Sequence, residues 1–143
     1  MSKSDEAVAC FKSGLNCSQA IISVFAADFG MDKELACKIA CAFGAGMGRL
    51  GEICGTVTGA FMVLGLKYGN SASGNKEARE KTYALVQEFS RRFKERNNSI
   101  LCRELVGANL LTGDREKTAR QVKLTCPKMV KDAAEILEEL LAE

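Results

Sequence analysis

Apolar residues recur at helical spacing along almost the whole chain, and no stretch alternates polar with apolar as a half-buried strand would. A single proline stands among 143 residues, so little interrupts this pattern apart from glycine and asparagine. The chain is therefore expected to be all-α, a single compact helical domain of about six or seven helices over residues 1–143. With 47% hydrophobic residues it can build one ordinary core, and stability does not call for a disulfide or metal staple.

Local punctuation sets the expected helix limits. The first helix should cover residues 5–13 and stop at Gly14. Asn16 and Gln19 stand three apart ahead of an apolar run, as in a capping box, so a second helix should carry Cys17 in its first position and end at Gly30. Asp32 can cap a third helix reaching Phe43, where the glycine-rich segment 44–51 breaks the period. A fourth, from about residue 52 to 68, is strongly apolar, rich in small residues and expected to be central; a fifth, 76–96, should turn Tyr83, Val86, Phe89 and Phe93 inward. Ser99 should cap a short helix ending at Val106, residues 107–118 look irregular, and Pro127 is expected to open the last helix.

Seven cysteines are many for a chain of this length, and no histidine accompanies them. The polar N-terminus lacks a signal-peptide core, so a cytoplasmic location is expected, where cysteines act as metal ligands, reactive thiols or packing rather than as a disulfide framework. The absence of histidine removes mixed Cys/His zinc sites, Cys–His nucleophile pairs and histidine-ligated haem. The longest uncharged runs, 13–27 and 53–66, are too short for a membrane span. A formal charge of +2, with basic and acidic residues interleaved, gives no sign of a nucleic-acid surface.

On the expected helices, Cys17, Cys54, Cys102 and Cys126 fall in or beside first turns, whereas Cys10, Cys37 and Cys41 fall inside helices. Free amides and the positive end of the dipole at a helix start favour thiolate over thiol, which suits a metal ligand or a nucleophile. Cys37 and Cys41, one turn apart, could assist a metal, but Ala36, Ala40 and Ala42 beside them read as a small-residue packing face; Cys10 reads as core.

Gly14 to Ala20, the stretch from Phe43 to Ala60 around Cys54, Cys102-Arg103-Glu104-Leu105 and Cys126-Pro127 together resemble the C-GCAxxG-C-C family, over nearly the whole chain. This chain reads Cys54-Gly55-Thr56 where the family's name spells Gly-Cys-Ala, a local departure. The family's four cysteines correspond to Cys17, Cys54, Cys102 and Cys126. The resemblance implies a redox role. Members are similar to a domain of the split-Soret cytochromes, which implies a cysteine-bound iron–sulfur cluster here, without the haem.

Gly46-x-Gly48-x-x-Gly51 formally matches a dinucleotide fingerprint but lacks the preceding strand and the later acidic residue. It reads better as a tight loop whose backbone can approach a ligand, either cluster sulfurs or an anionic substrate, with Gly46, Gly48, Arg49, Gly51 and Gly55 as candidate cofactor-binding residues and Arg49 adding positive charge. Gly51, Gly55 and Gly59 also form a flat ridge, to be filled either within the chain or by a second copy in a homodimer.

The leading expectation is electron transfer by an iron–sulfur cluster on the four cysteines, serving a redox partner protein or a small electron carrier. Four-cysteine zinc binding, a metal-free thiol–disulfide oxidoreductase and a structural helical interaction module remain as alternatives.

Overall fold

In the computed structural model, which describes Met1–Glu143, the chain forms seven α-helices and no sheet. They are α1 (Lys3–Lys12), α2 (Cys17–Phe25), α3 (Lys33–Cys41), α4 (Gly55–Tyr68), α5 (Lys76–Asn97), α6 (Cys102–Val106) and α7 (Arg115–Ala142). A 3-10 turn, Ala26–Phe29, follows α2 and ends at Gly30, whose φ of 80° is the left-handed stop expected there.

Short polar side chains start most of these helices by accepting a free amide of the first turn. Ser2 accepts from Asp5, Asp32 from Leu35, Asn75 from Ala78 and Asp114 from Lys117. Asn16 and Gln19 form the reciprocal capping box read from the sequence, at 3.0 Å in each direction.

The last helix departs from expectation. It opens at Arg115, under the Asp114 cap, and runs straight through Pro127. A proline inside a helix costs on the order of 3 kcal/mol by removing one amide donor and crowding the preceding turn. Here the helix survives because the turns beyond the proline bury Val130, Ala133, Ala134, Ile136 and Leu137 completely.

The α4 helix lies where expected, packed against α2, α5 and α7, with Val57, Ala60, Val63 and Leu64 buried. Phe61 meets Phe89 of α5 edge to face at 5.9 Å, and Phe93 lies beyond it. Tyr83 does not join them and is 53% exposed, because the apolar packing of α5 against the core begins beyond it, at Leu85 and Val86. On α3 the buried residues are Ala36 and Ala40, while Cys37 is half-buried and Cys41 exposed. The two cysteines therefore share the helix with the packing face but are not part of it. No helix is long and apolar enough to cross a membrane.

The glycine ridge is filled within the chain. A Cβ on Gly59 would lie 2.9 Å from the Ser18 carbonyl oxygen and 3.1 Å from Ile21 Cβ, and Gly51 faces Arg103. Only a missing side chain lets α2 and α4 cross this closely.

Two glycines of the same helix should consequently respond oppositely to alanine. Gly59→Ala should cost about 1–3 kcal/mol, since overpacking outweighs the gain in helix propensity. Gly65, with nothing within 4 Å of its added Cβ, should gain up to about 1 kcal/mol as alanine. Urea-unfolding midpoints of the two variants would give the order, and a reversed order would contradict the close crossing.

Candidate functional site

Three of the four candidate cysteines are placed by main-chain geometry. An isolated antiparallel bridge joins Ile53 to Leu101. Beside it the Cys54 amide donates to the Ile100 carbonyl and the Cys102 amide to the Glu52 carbonyl, both at 2.7 Å. Side chains alternate across extended backbone, so Cys54 and Cys102 leave on one side and Ile53 and Leu101 on the other. Each cysteine then opens a helix: Cys54 is the N-cap of α4 and Cys102 the first residue of α6.

Cys17 is the first residue of α2. The capping box beneath it does a second job, because the Asn16 and Gln19 side-chain amides also donate to the carbonyls of Cys41 and Cys37, at 2.9 and 3.0 Å. The end of α3 is thereby tied to the start of α2. Cys126 comes from the middle of α7, not from a helix start, because that helix begins at Arg115.

All four cysteines line one cavity of about 210 Å3, together with apolar residues that include Phe11, Val106, Leu110 and Met129. None of the four is more than 9% exposed. As they stand, no three cysteine, aspartate or glutamate side chains lie close enough together to hold a single metal ion. Cys10, Cys37 and Cys41 lie outside the cavity.

The glycine-rich segment forms one wall. Ala45, Gly46, Met47, Gly48 and Arg49 all have φ between 57° and 71°, a single turn of left-handed helix closed by the Gly48 amide on the Gly44 carbonyl at 2.8 Å. L-residues pay roughly 1–2 kcal/mol each for this hand, so Ala45, Met47 and Arg49 are strained while Gly46 and Gly48 are not. The Glu52 amide donates to the Gly46 carbonyl at 3.0 Å, fastening the turn to the Ile53–Leu101 bridge.

Of the five residues expected to approach a cofactor, the structure brings two to the cysteines. A Cβ on Gly55 would lie 2.3 Å from Cys17 Sγ, and one on Gly46 would lie 2.7 Å from Cys102 Cβ. Gly51 packs against Arg103, and Gly48 and Arg49 are exposed on the outer side of the turn. Arg49 thus brings no charge to the cavity. The left-handed turn, the bridge and the Thr56 hydroxyl, 3.1 Å from Cys54 Sγ, were not read from the sequence. Glycine at every second position, 44, 46 and 48, is the signal that could have announced the turn.

Burial in an apolar cavity raises the pKa of each of the four thiols. For Cys17 the amides of Ala45, Ser18, Cys17 itself and Gly55 act against burial without overcoming it. Cys54 is driven far above the usual thiol range by burial and then by the nearby Cys17, with Thr56 opposing. Cys102 is pushed up to about 12 by burial and by Cys17 and Cys126, and Cys126 to about 11 by burial and Cys17. Cys17 is the neighbour common to the other three. Without a cation the four sulfurs are neutral thiols at physiological pH.

Comparison with known families finds a match over residues 15–140 to the sequence model of the family described as putative redox-active protein, C_GCAxxG_C_C. No curated protein and no solved structure matches the chain.

These raised pKa values fix the sign of a pH dependence in the reduced, metal-free protein. An unfolded thiol loses its proton near pH 8.5–9, whereas Cys102 and Cys126 hold theirs to about 12 and about 11 in the folded state. The folded state then binds more protons, so stability is full below about pH 9 and falls as pH rises, by about 1.4 kcal/mol per pH unit for each such thiol. Urea unfolding at a series of alkaline pH values should show this loss, and Cys126→Ala should make it shallower. A flat profile would mean that the thiols are not buried.

Proposed function

The chain belongs to the C_GCAxxG_C_C family, and from that membership we propose that Cys17, Cys54, Cys102 and Cys126 hold an iron–sulfur cluster and make the protein a one-electron carrier. The observation that carries this reading is the gathering of four cysteines from four different helices on one apolar cavity.

The character of the cavity fits such a group. Four thiols in surroundings without a cation ionise only when metal ions supply the compensating charge, so loading would release protons and tie the four helices together. A single zinc ion needs its sulfurs about 2.3 Å from one point. The cysteines here stand further apart around an open volume, which favours a ligand of several atoms. A metal-free dithiol mechanism needs an accessible thiolate near neutral pH, and burial opposes that at all four positions.

An iron–sulfur cluster would supply reversible uptake of one electron by its iron. The chain's own part would be to tune and insulate that event. Amides of Ala45 and Gly55 near the Cys17 sulfur, and the Thr56 hydroxyl near Cys54, favour the more negative state and so would raise the potential. Phe11, Leu110 and Met129 exclude water, which acts in the other direction by disfavouring charge. A redox partner protein or a small electron carrier would deliver and remove the electron.

Protein prepared without oxygen and supplied with iron and sulfide should take up both and absorb in the visible. Serine in place of Cys17, Cys54, Cys102 or Cys126 should remove most of the bound iron and the colour, whereas serine at Cys10, Cys37 or Cys41 should leave both in place. Colourless protein with one tightly held zinc per chain would replace this reading with the zinc one. Equal metal content across all seven variants would defeat both.

A further inference from the structure

Beside the cysteine cavity lies a second, wider concavity of about 990 Å3. It is bounded by the end of α1 and the loop after it, by the left-handed turn and by one face of α7. Four cations line it, Lys12, Arg49, Arg115 and Lys123, and no aspartate or glutamate does. None of the four is engaged in an ion pair. The chain as a whole is nearly balanced, with 20 basic and 18 acidic residues, so this bias is local. Much of the compensating acid sits elsewhere: Glu88, Asp132, Glu135, Glu139 and Glu143 pair with Arg92 and Arg96 along the seam of α5 and α7.

The groove also has apolar walls. Phe11, Ala45, Leu110 and Val122 line both the groove and the cysteine cavity, so the same side chains border the two spaces. Arg49 lies here and not on the cysteine cavity. Its backbone strain has a consequence of its own, since the left-handed turn carries Ala45 on the wall of the cysteine cavity and Arg49 in the groove.

We propose that this groove binds a small organic anion carrying two or more negative charges on an apolar frame. Concavity and volume, at the top of the roughly 300–1,000 Å3 span of small-molecule sites, fit a small ligand better than the flat face of a protein. Four unpaired cations from three chain segments supply the charge complement, and the apolar walls supply the rest of the contact. Binding itself depends only on the groove. Its relevance to electron transfer, as the site of a small carrier or substrate next to the cysteines, rests on the function proposed above.

Isothermal titration of the full chain, as purified, with naphthalenedisulfonate tests the inference. One molecule should bind per chain, and the double variant Arg115→Gln/Lys123→Gln should bind about tenfold more weakly, as expected for the loss of two partly exposed charge contacts. Arg120→Gln, which removes one positive charge from the same helix outside the groove, should leave the affinity unchanged. Inorganic pyrophosphate should bind more weakly than the disulfonate. Absence of saturable binding, equal weakening by Arg120→Gln, or pyrophosphate binding as tight as the disulfonate would each overturn it. Binding of polyglutamate without binding of the disulfonate would overturn it in favour of an acidic protein partner. A coloured, iron-containing protein that fails this titration removes the groove alone, and a colourless one that passes removes the cluster alone.

Discussion

Two short segments on either side of Ile53 and Leu101 pair across a single bridge, and the site depends on that pairing. Four main-chain hydrogen bonds hold it: the amides of Cys54, Cys102 and Arg103 donate to the carbonyls of Ile100, Glu52 and Gly51, and the Glu52 amide reaches back to Gly46. Buried amides and carbonyls must find partners, and here meeting that requirement also sets two cysteines side by side at the starts of two helices. The arrangement explains why residues so distant in sequence converge without a pair of closely spaced cysteines of the kind that marks a zinc ribbon.

The left-handed turn is the strained counterpart of that rigid pairing. Three L-residues in the unfavoured hand amount to a few kcal/mol, a large share of the roughly 5–15 kcal/mol that holds a domain of this size together. Surrounding structure has to hold the turn in place. Gly44 packs against the Asn16 side chain, Gly46 against Cys102 and Glu52, and the turn's own amides bond to the carbonyls of Phe43 and Gly44. In return the backbone, bare of side chains at alternate positions, comes close to both Cys17 and Cys102. Backbone strain of this kind clusters at sites that bind or react.

Electrostatics divides the molecule in a way that net charge conceals. Acidic and basic side chains neutralise each other along α5 and α7, the cysteine cavity holds no charged side chain, and the groove beside it holds only cations. Buried, uncharged thiols thus lie next to a positive exterior, which suits approach by an anion.

The helical class was legible in the residues, because a 3.6-residue apolar period and the caps Asn16 and Asp32 at helix starts are local properties of the chain. So were the four cysteines as a set distinct from Cys10, Cys37 and Cys41, although the helix-start reasoning misplaced Cys126: Pro127 looked like a beginning, and only the burial of the turns after it shows why the helix continues past it. Tyr83 was misjudged for a related reason, since which side of a helix faces the interior depends on what packs against it. By itself, then, the sequence determined the helical class and the set of four cysteines, both set by residue identity and short-range spacing. Tertiary structure alone decided that the cysteines share one cavity, that the turn is left-handed and that unpaired cations surround a groove, because each of these comes from segments distant in the chain meeting through hydrogen bonds and packing.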